Sequence, residues 1–158
     1  DYILREQDLT RPIVHEDATC TTTWRIDQHY PDPRNADKYP GEEWMSIGVL
    51  TPIDFYPLPY RCFYSKDIPN LFMAGRNISV SHIALGSTRV MRTCGLIGEV
   101  VGMAASICVK KKVAPRDIYT TYFEDLKELM RKGTGRTDVP YTQFYHQVDR
   151  TGHQAEDR

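Results

Sequence analysis

The sequence predicts an α+β fold, with an antiparallel meandering sheet followed by a buried glycine-rich helix and a C-terminal helix. Three observations predict it. Threonine- and aromatic-rich segments divided by prolines fill residues 1–69, an apolar run covers residues 90–109, and apolar residues at helical spacing follow Pro115. At 158 residues the chain can bury a core large enough for one domain.

The first half of the chain predicts three strands. They follow an entering segment, Asp1–Ala18, in which Pro12 discourages a continuous helix. Threonine and aromatic residues suit a pleated surface, and prolines this frequent favour short or edge strands. Three prolines and several Asp and Asn residues indicate a loop at Pro31–Gly41. The strands are expected at Thr21–Gln28, Trp44–Leu50 and Tyr60–Tyr64.

A short apolar run, Leu71–Gly75, predicts a buried strand that ends at a glycine. A polar loop is expected from Arg76 to about Arg92, and then the apolar helix extends to Val109. Lys110, Lys111 and Lys112 follow it, where positive charge complements the helix dipole.

The apolar helix carries small residues on one face. Gly95, Gly98, Gly102 and Ser106 recur at intervals of three and four residues. An interior glycine costs a helix about 1 kcal/mol relative to alanine, so we expect another group to approach this face closely. Spacing alone also fits helix-to-sheet packing. Thr93 is a candidate cap for the polar start of the helix.

A last helix is expected from Pro115 to Arg131, with glycines ending it and an extended polar tail at 136–158. Its apolar stripe consists of Ile118, Tyr122, Leu126 and Leu129. We divide the chain into a β region at 1–69, a helical region at 70–135 and the tail.

Composition argues against several classes of protein. Lys and Arg total 20 against 21 Asp and Glu, which favours small ligands over nucleic acid or an anionic membrane. The four cysteines lie too far apart for a CxxC metal site, and we interpret them as buried thiols. Arg92, Glu99 and three glycines in the apolar helix argue against a membrane span.

The segment Asn70–Ser106 has a specific order: an apolar run, Ala-Gly-Arg, Ser, His, Ala, Gly-Ser, Arg and a glycine-rich helix. This order resembles the C-terminal region of a family of bacterial FAD-dependent oxidoreductases, distantly similar to fumarate reductase and succinate dehydrogenase flavoproteins. Trp24–Pro31, Leu58–Arg76 and Ala114–Tyr119 extend the resemblance over about 13–133.

The resemblance implies FAD as the cofactor, with the Ala-Gly strand beside its ribityl and pyrophosphate and the helix N-terminus facing the flavin pyrimidine ring. A helix N-terminus would stabilise the negative charge that this ring gathers on reduction. The implied cofactor-binding residues are Gly75, Arg76, Thr93, Cys94, Gly95 and Leu96. Many related flavoproteins carry an acidic residue where Arg76 stands, so Arg76 is expected to reach a phosphate or another part of the protein.

His82 and Arg89 lie seven residues apart before the helix, and the resemblance implies that they bind substrate or handle a proton. A guanidinium offers two donors to a carboxylate, and an imidazole exchanges protons near neutral pH. The alternative is an Arg bound to loop carbonyls and a His satisfied in the core. The same choice applies to Asp27, His29 and Arg61, which could form only a surface ladder.

No GxGxxG turn is present, so the sequence lacks the pyrophosphate-binding signature of a Rossmann half. We therefore expect this chain to be part of a Rossmann-type FAD/NAD(P)-binding flavoprotein whose remaining polypeptide supplies that half. Hydride transfer to or from a small polar substrate is the expected activity. The alternatives are a non-catalytic ligand-binding or interaction module and a structural domain of a carbohydrate-active protein.

Overall fold

A computed structural model describes residues 1–31, 33, 35–41 and 45–135. Six helices and four strands lie in this part of the chain, so the α+β class is confirmed. They are α1 Glu6–Thr10, β1 Ala18–Thr22, β2 Ile26–Pro31, α2 Asn35–Lys38, β3 Ser46–Thr51, β4 Tyr56–Pro59, α3 His82–Thr88, α4 Met91–Lys111, α5 Pro115–Thr120 and α6 Phe123–Lys132.

The strands form two small antiparallel sheets rather than one meander. β1 pairs with β4, and β2 pairs with β3 from Ile26 opposite Thr51 to Pro31 opposite Ser46. The single strand expected at Thr21–Gln28 is therefore wrong, because the chain leaves the β1–β4 sheet after Thr22 and enters the other sheet at Ile26. The loop expected at Pro31–Gly41 contains the short helix α2.

The strand expected at Tyr60–Tyr64 is also displaced. The strand β4 ends at Pro59, and Tyr60–Cys62 form a 3₁₀ turn. Two of the four β4 residues are prolines, which lack an N–H for strand pairing. They are tolerated because β4 pairs only with β1 in the described structure and is an edge strand.

The segment Leu71–Gly75 is not the buried strand that its apolar sequence predicts. Phe72 makes one isolated bridge to Tyr64, Leu71 is 41% exposed, and Gly75–Asn77 form a 3₁₀ turn. The loop expected after Arg76 contains α3. The hydroxyl of Ser81 caps this helix by accepting a hydrogen bond from the Ala84 backbone N–H at 3.4 Å.

The apolar helix is confirmed as α4, with Lys110 and Lys111 in its last turn. Its buried face includes Ile97, Val100 and Ala104 and packs against β1, whereas its glycines lie on an exposed face. By length and composition alone α4 could cross a membrane, a test that core helices also pass. The expected absence of a membrane span stays a prediction.

The expected C-terminal helix is two helices, α5 and α6, separated at Thr121 and Tyr122. Asp117 accepts a hydrogen bond from the Ala114 backbone N–H at 2.8 Å and so caps α5, which makes a short independent helix favourable here. The predicted stripe faces the core, with Ile118 and Leu126 fully buried. Gly133, at φ +65°, ends α6 as expected. The tail expected at 136–158 lies outside the described residues.

The core joins residues from the whole described chain. Tyr56, Tyr60, Phe63 and Tyr64 are its largest buried side chains beside the buried face of α4. Leu4, fully buried, makes a parallel bridge to Val80 and ties the entering segment to the residues before α3. The division at residues 69 and 135 stays a prediction.

Candidate functional site

The site begins with the close approach of α3 to β2. A Cβ atom added at Gly86 would lie 2.7 Å from the Asp27 carbonyl oxygen and 2.6 Å from the Gln28 side-chain nitrogen. Gln28 Nε2 donates to the Ile83 carbonyl at 2.9 Å, and Tyr30 donates to Gln28 Oε1 at 2.7 Å. Only glycine at position 86 permits this contact, so helix and strand form one wall.

An open cavity of about 320 Å³ lies along this contact. Four cavity residues of α3 recur at the i, i+3, i+4, i+7 spacing of one helical face. The seven-residue interval between His82 and Arg89 therefore places both side chains on the same side. The lining residues are Asp27, Gln28, His29, Arg76, His82, Leu85, Gly86 and Arg89.

The cavity brings together three residues predicted to handle substrate, His29, His82 and Arg89, and also Arg76. His82 lies at the first position of α3, with its ring centroid 6.3 Å from that of Tyr30 in an edge-to-face arrangement. Arg89 ends the same helix. The cavity is thus lined by two guanidinium groups, two imidazoles and one carboxylate.

That carboxylate belongs to Asp27, whose side chain is 17% exposed. Its Oδ2 lies 3.6 Å from Arg89 Nη2, which also donates to the Asp27 carbonyl at 3.3 Å. Its Oδ1 lies 3.0 Å from His29 Nε2, yet this oxygen is buried without a hydrogen bond of acceptable geometry. His29 therefore lies close to this carboxylate without a hydrogen bond to it. Arg89 does bind a backbone carbonyl, but one in β2 rather than in a loop as the alternative expected, and it also lines the cavity.

Arg61 lies elsewhere and is not among the cavity residues. Its Nε and Nη2 donate to the two oxygens of the fully buried Asp17 at 3.0 and 3.1 Å. Its guanidinium also stacks over Tyr2 and Tyr119, 5.3 and 4.9 Å from the ring centroids. This arrangement neutralises a buried carboxylate, which is a structural role.

The N-terminus of α4 differs from the prediction in its capping. The helix begins at Met91, so Thr93 lies inside the first turn and is buried. The Thr93 hydroxyl donates to Thr22 Oγ1 at 3.3 Å, which in turn donates to the Ser87 carbonyl at 3.0 Å. Thr93 is therefore not a cap. It joins a buried hydroxyl network that fixes α4 to β1 and α3.

The first turns of α4 also bear on the residues that the resemblance assigns to the cofactor. The Cys94 backbone N–H donates to the Val90 carbonyl at 2.9 Å, so this N–H is used within the helix. Cys94 Sγ contacts the Thr88 carbonyl at 3.6 Å, and Leu96 is buried in the core. Contact of Thr93, Cys94, Gly95 and Leu96 with a cofactor stays a prediction.

Arg76 connects this helix end to the cavity. Burial raises the pKa of the Cys94 thiol, and the positive charge of nearby Arg76 acts in the opposite direction. Gly75, immediately before Arg76, has φ +73°, a conformation that favours glycine. The cavity and the first turn of α4 are therefore adjacent parts of one surface.

The glycines of this surface leave room for a large ligand. Apart from the adjacent residues and the helix's own backbone, no atom of the described residues lies within 4 Å of a Cβ built at Gly75, Gly95, Gly98 or Gly102. The buried Thr88 hydroxyl, close by in sequence, makes no hydrogen bond within the described structure. The open small-residue face and the helix terminus fit an extended ligand with anionic and carbonyl groups. Among the described residues, no cluster of His, Cys, Asp and Glu could hold a metal ion.

Sequence reasoning missed Gln28 and Gly86. For Gly86, the available signal was the helical spacing of residues 82, 85, 86 and 89. It was not used, because this segment was predicted to be a loop.

A family model described as FAD dependent oxidoreductase matches residues 1–130. No curated protein and no solved structure gives a significant match. The match confirms the resemblance to an FAD-dependent oxidoreductase family, while the bacterial origin and the distant fumarate reductase similarity stay predictions.

Proposed function

Because this chain belongs to the FAD dependent oxidoreductase family, we propose that it supplies the flavin-facing helix and the substrate pocket of such an enzyme. The expected reaction is hydride transfer to or from a small polar substrate. The observation that carries this proposal is the cavity in which His29, His82, Arg76 and Arg89 converge beside the N-terminus of α4.

The residues present fit FAD as the cofactor. Gly75, Arg76 and the first turn of α4 would hold it, with the open face of Gly95 and Gly98 allowing close approach. Bound FAD supplies the hydride-accepting and hydride-donating chemistry that protein side chains lack. The α4 dipole favours a negatively charged group at this helix end.

The cavity residues would bind and orient the substrate. Arg89, one-third exposed at the cavity, can donate two parallel hydrogen bonds to a carboxylate or to paired polar oxygens. His82 and His29 are exposed at the cavity and can hold or release a proton at an imidazole nitrogen. Arg61 has no part in this proposal, because it is committed to Asp17.

We further propose that a dinucleotide-binding half lies in other parts of the polypeptide. The 158 residues contain no GxGxxG sequence, and the exposed glycine face of α4 offers a surface against which other groups could pack. The domain division at residues 69 and 135 belongs to this proposal.

Purification of the complete gene product that contains these residues tests the proposal. We expect a yellow protein whose denatured supernatant contains stoichiometric FAD by chromatography. A colourless protein that takes up no FAD on reconstitution would favour the non-catalytic module instead.

A further inference from the structure

Asp27 lies between the Arg89 guanidinium and the His29 ring of the cavity. Its Oδ2 faces Arg89 Nη2 at 3.6 Å, and its Oδ1 faces His29 Nε2 at 3.0 Å. No other acidic residue lines this cavity within the described structure. Its carboxylate and its backbone carbonyl, which accepts from Arg89 Nη2 at 3.3 Å, are therefore the two Asp27 groups that contact the guanidinium.

The position of Asp27 is more fixed than that of Arg89. The main chain of Asp27 lies against Gly86, and a Cβ there would come within 2.9 Å of the Asp27 nitrogen. Asp27 also pairs with Leu50 in the β2–β3 ladder. Arg89, by contrast, has a long side chain that is one-third exposed at the end of α3. The anchored group thus orients the flexible one.

We propose that Asp27 is a positioning residue, whose carboxylate holds the Arg89 guanidinium in the orientation that receives a ligand. This role rests on the proposed function, in which the same cavity binds substrate. Asp27 itself does not bind an anionic group, since its charge would repel one. It acts through Arg89.

The proposal is tested by whether Asp27→Asn raises or lowers the affinity of the cavity for an anion. Asp27→Asn removes one negative charge from the cavity, so charge alone would tighten binding of an anion. Loss of positioning would weaken binding instead. We use inorganic sulfate as the probe and follow the Arg89 Nε–Hε resonance of the full chain by NMR, assigned by its absence in Arg89→Lys.

We expect Asp27→Asn to weaken sulfate binding about tenfold, as loss of one charge-assisted contact would do. The matched control is Asp54→Asn, which makes the same charge change at an exposed position outside the cavity and should leave affinity unchanged. Unchanged or tighter binding by Asp27→Asn would overturn the positioning role while leaving the cavity as a binding site.

Absence of any sulfate-induced change at Arg89 in the unaltered chain would overturn both this inference and the cavity's role in the proposed function. A measurement on the unaltered chain alone covers the case in which Asp27→Asn does not fold. Hydrogen exchange at Arg89 Nε should be slower than at the exposed Arg25, and equal rates would contradict a held guanidinium.

Discussion

Arg61 and Arg89 show how surroundings assign different roles to the same residue type. Arg61 donates to both oxygens of a fully buried carboxylate, whereas Arg89 contacts Asp27 at the edge of an open cavity. Breaking a buried ion pair typically costs about 3–5 kcal/mol, because a buried charge loses its partner. A partly exposed contact contributes far less.

Lysine substitution should separate these roles in the complete gene product. Arg61→Lys loses the two-pronged contact with Asp17, so we expect a lower melting temperature. Arg89→Lys should leave the melting temperature and FAD content unchanged and should lower kcat/KM about tenfold or more for the enzyme's substrate. If Arg89→Lys lowers both FAD content and melting temperature, while the remaining holoenzyme turns over normally, Arg89 only braces the end of α3 against β2.

Gly86→Ala should destabilise the chain by about 2 kcal/mol, as expected for overpacking a tight contact. The new methyl group would meet the Asp27 backbone at 2.7 and 2.9 Å, and backbone cannot rotate away. Urea unfolding measures the change. The matched control is Gly98→Ala, whose Cβ meets nothing within 4 Å among the described residues. Equal stability of Gly86→Ala and the unaltered chain would show that α3 can move off β2.

Two buried thiols predict a loss of stability in alkali. Burial raises the pKa of Cys20 and of Cys62 to about 12, whereas an unfolded thiol ionises near about 8.5. The folded pKa is the higher one, so this contribution is complete below about pH 8.5 and falls as pH rises towards 12, by up to ~1.4 kcal/mol per pH unit per thiol.

Urea unfolding at pH 8 and pH 10 checks this dependence. A Cys20→Ala, Cys62→Ala double variant should show a flatter decline between these two values. An identical slope of unfolding free energy against pH in the double variant would mean that other groups cause the decline.

In the unaltered chain at pH 8, iodoacetamide should modify the partly exposed Cys94 and Cys108 before the buried Cys20 and Cys62.

At the scale of elements, the two faces of α4 differ in side-chain size as well as in burial. Its inner face is buried in the core, and its outer face carries Gly95, Gly98 and Gly102 with open space around them. In the chain alone these glycines only weaken the helix, at about 1 kcal/mol each. Their presence makes sense where a ligand or another part of the polypeptide approaches this face.

Gly98→Ala should therefore have opposite effects in two settings. In the 158-residue chain it should raise stability by about 1 kcal/mol through helix propensity. In the complete gene product it should reduce FAD retention or lower the melting temperature, because the methyl group would enter the occupied face. Calorimetry and flavin content on both proteins measure this. Stabilisation of both by the same amount would show that nothing approaches Gly98.

The elements that could be predicted are those whose local pattern agrees with their tertiary surroundings. The α4 helix has helical spacing, apolar composition and a basic end, and its predicted extent is confirmed within two residues at the C-terminus. The break between β1 and β2 follows instead from transfer between two sheets. No local signal at Thr23–Arg25 marks that transfer.

The site was predicted in part for the same reason. The resemblance implies a cofactor role for Arg76 and a substrate role for His82 and Arg89, His29 is a further candidate, and all four line one cavity. Arg61 was included among the candidate site residues because its sequence surroundings do not show that it pairs with the buried Asp17, which lies 44 residues earlier in the chain. Gly86 was missed because a close approach between α3 and β2 depends on tertiary structure.

At the scale of the whole molecule, the 158-residue chain should bind FAD weakly. It offers one helix terminus and an open surface, without the GxGxxG turn that would bind the pyrophosphate. Calorimetry should give no measurable binding of FAD at micromolar concentrations, whereas the complete gene product should retain the cofactor. A submicromolar dissociation constant for the chain alone would place the main FAD contacts within these residues.

The bridge between Leu4 and Val80 has a consequence for the order of folding. Leu4 donates its backbone N–H to the Ser79 carbonyl at 3.1 Å and accepts from Ser81 at 2.8 Å, with its side chain fully buried. During synthesis the residues around Leu4 leave the ribosome long before position 80, and parallel pairing across such a distance in sequence closes slowly. The segment around Leu4 therefore cannot pack against the rest of the chain, and the Leu4 side chain stays exposed, until the residues before α3 have been synthesised.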